Sequence, residues 1–426
     1  MIKHFKSRLF QNVMALYGAQ AGRKIIPLLS IPWLTRALGP SGWGMVAFVM
    51  AMGDLIVILI EFGFNLSATR EIARHRDSPA RCSEVMSGVV GAQLLLATFG
   101  MLLFAGVAQF LPSLRNDPRL VASGMAYALA NGFMPLWFFQ GLERMRTSAS
   151  LELSGKITAL FAVFAFVHHP DDGWKALLAG SIPPAVITLV GFVLALRAIP
   201  FERPCARTVR EAMRMGWPMF LFRSSESLYG VANSFLLGLF APARFVGYFS
   251  PAEKISKAAF GLLNPIREAV YPRLSHLAAR RHADAAYLAK ISAAVMIGGG
   301  VLLAGGVIVF APLLVKLLMG SAFAPTVTAL RILAVLPALL AVTYAVGLQW
   351  LLPLGQDHVV NRIIIGAGIL NITLSCLLAP RFLHVGMAVA VVCSEAFVSM
   401  AMVVAVMRIS PFWGAKPCVA VAGGQA

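Results

Sequence analysis

Twelve apolar runs, each long enough to cross a bilayer, take up almost the whole of this 426-residue chain. A bilayer's hydrocarbon core, about 30 Å thick, needs roughly 20 mostly apolar residues per helix. Such runs lie near 12–34, 43–66, 84–108, 119–141, 150–168 and 175–197, then near 212–239, 245–271, 288–319, 327–352, 360–379 and 385–407; they are numbered spans 1 to 12. The chain is 59% hydrophobic and only 13% charged, with a mean hydropathy of +0.79. That much apolar surface has no place in a soluble core, so the sequence predicts an all-α integral membrane protein.

The net charge of +18 would suit nucleic acid if it formed a soluble basic face. Instead the cations sit mostly in short gaps between spans, as topology signals do. With the N-terminus inside, the inner segments collect Lys3, Lys6 and Arg8, then Arg70, Arg74, Arg76 and Arg81, then Arg144 and Arg146. They further collect Arg197, Arg203, Arg207, Arg210 and Arg214, Arg273, Arg280, Arg281 and Lys290, Arg362, Arg408 and Lys416. The outer segments hold only Arg36, Arg115, Arg119, Lys175, Arg244, Lys316, Arg331 and Arg381. Both termini are therefore expected in the cytoplasm. Ala19-Gln20-Ala21 faintly resembles a signal-peptidase site, but helix-like sequence runs through it, predicting an uncleaved first helix. The five cysteines show neither CxxC nor metal-like spacing, and neither disulfides nor zinc are expected.

The longest hydrophilic stretch falls mid-chain and divides six spans from six. The expected organisation is a six-helix bundle over 1–200, a cytoplasmic linker over 201–214, a second bundle over 215–410 and a tail over 411–426. The halves resemble each other weakly. Leu38-Gly39-Pro40-Ser41-Gly42-Trp43-Gly44 joins spans 1 and 2, and Leu239-Phe240-Ala241-Pro242-Ala243-Arg244-Phe245-Val246-Gly247 joins spans 7 and 8. Six helices per half makes the repeat parallel, and transporters built this way bind substrate between their halves.

Charge at the centre of a lone span costs about 2.5–3.5 kcal/mol even on lenient scales, so intramembrane ionisable residues mark partners or wet cavities. Span 1 carries Asn12, Gln20, Arg23 and Pro27 on one face, with Lys24 adjoining; span 2 carries Asp54, Glu61 and Asn65 at spacings of seven and four. Span 7 carries Arg223, Glu226, Ser227, Gly230 and Asn233; span 8 carries Ser250, Lys254, Lys257, Gly261, Asn264 and Glu268, with Glu253 alongside. Elsewhere little compares: Lys156 in span 5 and Glu395 in span 12. Spans 1, 2, 7 and 8 are two repeat-related pairs, which points to one shared cavity. Ion pairs that merely hold helices together are the alternative.

Four segments resemble the Wzx-type oligosaccharide flippases, in the superfamily that also holds multidrug extrusion proteins and the lipid II flippase. They are Pro27-Leu28-Leu29-Ser30-Ile31-Pro32-Trp33-Leu34-Thr35-Arg36 with Leu38-Gly39-Pro40, Phe62-Gly63-Phe64-Asn65-Leu66-Ser67-Ala68-Thr69-Arg70-Glu71, Trp137-Phe138-Phe139-Gln140-Gly141-Leu142-Glu143, and Gly247-Tyr248-Phe249-Ser250-Pro251-Ala252-Glu253-Lys254. The resemblance implies two pseudo-symmetric six-helix bundles in a V and movement of a polyprenyl-diphosphate-linked repeat unit between leaflets of the bacterial inner membrane. It also implies ion-coupled exchange. On this reading Arg23, Lys24, Arg223, Lys254 and Lys257 meet diphosphate or acidic sugars, while Gln20, Asn65 and Asn233 bond sugar hydroxyls. Asp54, Glu61, Glu226 and Glu253 couple H⁺ or Na⁺. No other cofactor, no metal and no catalytic residue is expected. The partners expected are the lipid-linked glycan, membrane lipids, and polysaccharide polymerase and chain-length machinery, with no nucleic acid.

Rival readings are another exporter of the superfamily, for drugs, metabolites or lipid II, and a membrane-embedded glycan polymerase or ligase. The enzyme reading calls for catalytic residues in sizeable outer loops, and no outer loop here exceeds about ten residues. A non-transporting scaffold would not need the charged interior. His168-His169-Pro170-Asp171-Asp172 is the one outer cluster with metal-ligand residue types, and a polar turn closing spans 5 and 6 explains it better.

Overall fold

A computed structural model describes residues 2–200, 202–267 and 282–409, with Val270, Leu274 and Leu277. Within these, the side chains at 2–25, 27, 222, 223, 225–229 and 282–286 lie outside the description. Each of the twelve runs is mostly helical where described, and no strand occurs among the described residues. Lipid offers no partner for backbone N–H and C=O groups, so a spanning segment must satisfy them internally, and a helix does so.

The helices turn where the sequence supplies the chemistry. Spans 1 and 2 are merged in Ile2–Glu61, which bends at Gly39 (φ 67°, ψ 178°), a conformation that costs glycine nothing and any other residue a good deal. Spans 11 and 12 are merged in Asp357–Ile409, bent at Leu383 three residues after Pro380. Seven described segments are long and apolar enough to cross a membrane, the longest being Leu28–Arg74, at 47 residues, and Asp357–Ile409, at 53. Spans 4, 7 and 8 fall outside these seven, being interrupted or more polar. Span 4 is split into Pro118–Gly132 and Leu136–Gly141 around Met134-Pro135, and span 7 into Ala206–Gly230 and Ala232–Phe240. Span 10 passes through a π-helical stretch, Thr343–Leu348.

The chain forms two compact units. One holds Met1–Pro251 with Leu314–Ala324, and the other Ala252–Leu313 with Pro325–Ala426. In the first, the helix Ala206–Gly230 starts inside the stretch read as a linker and lies on the helix Pro79–Phe110. There the Thr208 carbonyl stands 2.5 Å from where a Cβ on Gly88 would be. Nearby, Phe62 stacks on Phe220 at 4.6 Å above a core of Phe64, Ile72, Trp137, Phe138 and Phe139.

The two turns that the repeat relates also meet within this unit. A Cβ on Gly44 would fall 1.8 Å from the Ala243 carbonyl oxygen, and one on Gly247 2.0 Å from that of Pro40. Backbone rests on backbone there, and only glycine permits it. Arg36 donates to the Leu317 carbonyl in the last turn of His282–Leu318, where the helix dipole favours a cation. In the second unit, Phe260 stacks on Tyr344 at 5.2 Å, the Arg267 guanidinium covers the same ring at 4.5 Å, and Ser292 Oγ bonds Gln349 at 3.1 Å.

Candidate functional site

Asp54 is the best-defined of the expected site residues. It is half-buried in Ile2–Glu61, and its Oδ1 accepts a hydrogen bond from the Tyr127 hydroxyl at 2.9 Å. Tyr127 is brought in because Gly53, beside Asp54, leaves room for its ring: a Cβ there would sit 2.9 Å from Tyr127 Cδ1. The polar thread continues through the first unit. Asn131 donates to the Tyr127 carbonyl at 2.9 Å and to that of Gly180 at 3.3 Å. Gln93, buried, donates to the Gly132 carbonyl at 3.1 Å, and Thr188 to that of Ala130 at 3.3 Å. Sequence reasoning missed Tyr127, Asn131 and Gln93, since lone neutral polar residues carry no charge signal.

Glu61, half-buried, is the last residue of that helix. The backbone then leaves helical geometry at Phe62 (φ 42°) and Gly63 (φ 73°), so the shared face expected for Asp54, Glu61 and Asn65 ends at Glu61. Asn65 belongs to the next helix, Phe64–Arg74, where its carbonyl accepts from Thr69 Oγ1 at 2.8 Å. Asn233 is buried near the start of Ala232–Phe240. In the second unit, Lys257 pairs with buried Glu253 at 2.7 Å, one helical turn away. Half-buried Lys254 lies beside them. The pair neutralises part of the expected cationic stripe. Gln20, Arg23, Lys24, Arg223 and Glu226 have side chains outside the described residues.

The outer His168–Asp172 turn is built around Asp172. One carboxylate oxygen accepts the backbone N–H of His168 and of His169, each at 3.0 Å, and the other meets Lys175 Nζ at 2.6 Å. The Lys175 bond first, then the His168 N–H, hold this carboxyl well below the usual carboxylate range. Trp33 Nε1 ties the turn to span 1 through the Val167 carbonyl, at 2.7 Å.

A cavity of about 330 Å³ opens among Glu71, Arg81, Glu84, Glu211 and Arg214. Most of its charges pair: Arg81 with Glu84 and Glu71, and neighbouring Arg207 with Glu84 and Glu211. Such exposed pairs contribute little individually, and the balance leaves no excess cation for a phosphate.

This arrangement of apolar helices, glycine-turned at repeat-related positions and threaded by intramembrane polar groups, defines a multi-span membrane exporter. Two solved structures share the fold. An inward-facing multidrug resistance MATE family transporter of the MOP superfamily matches with TM-score 0.70 and 16% identity, over 92% of this chain and 95% of that one. The lipid II flippase MurJ, in an inward closed conformation, matches with TM-score 0.70 and 11% identity, over 93% and 87%. The chain belongs to the polysaccharide biosynthesis protein family, whose sequence profile matches residues 9–278. Two relatives are named "Putative O-antigen transporter". The one from Escherichia coli strain K12 is 28% identical over 403 residues, 93% of this chain and 96% of the relative. The one from Shigella dysenteriae is 26% identical over 398 residues, 93% and 99%. The family expected from the four sequence segments is thereby established.

Proposed function

We propose that this exporter flips a polyprenyl-diphosphate-linked oligosaccharide repeat unit from the cytoplasmic to the outer leaflet of the bacterial inner membrane, with both termini inside. The observation that carries the reading is the concentration of ionisable residues on spans 1, 2, 7 and 8, in a chain matched nearly end to end by relatives named for O-antigen. Arg23, Lys24, Arg223, Lys254 and Lys257 neutralise the diphosphate, which otherwise has no route through hydrocarbon. Gln20, Asn65 and Asn233 bond the sugars. Asp54, Glu61, Glu226 and Glu253 exchange H⁺ or Na⁺ for substrate, and a polymerase with its chain-length machinery takes the product. The relatives are transporters, and a catalytic role is not part of the reading.

A cell-based test uses Arg23→Ala and Lys257→Ala. A charge-assisted hydrogen bond contributes about 1.5–3 kcal/mol, so transport should fall at least roughly tenfold. Surface polysaccharide should drop and lipid-linked repeat units accumulate, with the protein still in the membrane. Wild-type polysaccharide from both variants would refute the assignment. A drug exporter is the second reading, favoured by the multidrug transporter fold; there, reconstituted protein would move small organic cations and ignore the lipid-linked glycan.

A further inference from the structure

The second unit holds a carboxyl that none of these roles uses. Glu395, in the latter part of Asp357–Ile409, is 3% exposed. Its Oε1 lies 3.2 Å from the Thr343 hydroxyl, which lies 3.0 Å from Ser399 Oγ. Ser399 donates in turn to the Leu339 carbonyl at 2.9 Å. Ser399 follows Glu395 by one helical turn and so shares its face. Thr343 opens the π-helical stretch Thr343–Leu348, an irregularity frequent at functional sites. Thr343 and Ser399 are themselves buried.

No Lys, Arg or His among the described residues pairs with Glu395. Of the segments packed on its helix, Thr326–Leu333 carries Arg331, which is exposed, and Thr343–Leu348 carries Tyr344, whose ring is held by Phe260 and Arg267. On its own helix the exposed thiol of Cys393 lies two residues away, on another side. His384 and Arg408 lie eleven and thirteen residues off, about 16 and 20 Å along the axis. An ionised carboxylate buried without a counter-charge costs several kcal/mol.

The hydroxyls set a direction. Ser399 commits its one proton to the Leu339 carbonyl, so its oxygen can only accept from Thr343. With Glu395 neutral, its proton can satisfy the Thr343 oxygen while Thr343 gives its own to Ser399. A neutral Glu395 completes a one-way chain, Glu395 to Thr343 to Ser399 to the Leu339 carbonyl, with every donor used. With Glu395 ionised, Thr343 donates to the carboxylate, and while Ser399 holds the carbonyl no proton remains for the 3.0 Å contact between the two hydroxyls.

We infer that Glu395, Thr343 and Ser399 form a proton-binding site within the second unit. The proton adds to a lone pair of a carboxylate oxygen and no other covalent bond changes; it leaves to water when rearrangement of the π-helical stretch withdraws Thr343. Three side-chain oxygen groups, two of them committed, fall short of the six or so oxygens that a hard metal cation requires. The role of this proton in coupling rests on the flippase reading above, whereas its binding does not.

Infrared spectroscopy of the full chain in nanodiscs tests the site. At neutral pH the wild type should show a protonated-carboxyl band that is lost in Glu395→Gln and shifted in Thr343→Val, the second variant serving if the first fails to fold. Identical bands in wild type and Glu395→Gln, or no shift in Thr343→Val, would overturn the site. In proteoliposomes bearing lipid-linked oligosaccharide, a proton gradient should accelerate the wild type and leave Glu395→Gln at its gradient-free rate. A variant as responsive as wild type would overturn the coupling role. Wild-type protein that moves no lipid-linked glycan would sink the substrate reading instead, leaving the infrared bands to decide the proton site.

Discussion

Asp54 illustrates how much a single partner decides. A carboxylate at mid-depth is costly alone, and the Tyr127 hydroxyl at 2.9 Å offsets part of that cost. A hydrogen bond of this kind contributes about 1 kcal/mol or more, so Tyr127→Phe should measurably destabilise the first unit. Asp54→Asn keeps an acceptor for the phenol and removes the charge. If Asp54 couples an ion, Asp54→Asn should cut transport in liposomes far more than Tyr127→Phe while losing less thermal stability. If it only packs, the two variants should lose transport in proportion to melting temperature. Equal, small losses in both would end the case for a coupling role.

At the level of elements, the two repeat-related turns are the most constrained contact in the first unit. The Gly44 position against Ala243 and the Gly247 position against Pro40 leave no space for a methyl group. Forcing one in requires backbone movement, and overpacking of this kind costs about 1–3 kcal/mol or more. Gly44→Ala and Gly247→Ala should each lower the melting temperature in detergent and reduce transport. Gly106, which faces open space in an apolar helix, should accept Ala with little effect. Equal tolerance at all three positions would show that the turns do not seat on one another in the membrane. The Ala206 start of span 7 carries a related lesson. The stretch 201–214 is hydrophilic and reads as a linker, yet its later part is helix and packs on the facing helix, where Gly88 lets the Thr208 backbone approach.

For the molecule as a whole, the proposed topology follows from the placement of Lys and Arg. Reporter fusions after Arg81, Arg210 and Arg281 should read cytoplasm, and fusions after Asp117 and Asp172 should read outside. An external signal at Arg210 would break the division into six spans and six. The division into compact units falls elsewhere, at Pro251 within the helix Ala243–Gly261. Hydrophilicity marks where a chain leaves the membrane, whereas compactness follows which helices pack, and the two need not coincide.

The all-helical class, the number of apolar runs and the family were legible in the residues, because lipid leaves the backbone one local way to satisfy itself and hydropathy records it. The charges on spans 2 and 8 were legible too, as rare and costly groups in apolar surroundings. What tertiary structure decided is which groups meet. Tyr127 reaches Asp54 from 73 residues away, the break at Phe62-Gly63 takes Asn65 off the Asp54 face, and Thr343 meets Glu395 from 52 residues away. In hydrocarbon one apolar face packs about as well as another, and small residues and buried hydrogen bonds select the pairing. That selection exists only once the helices are together.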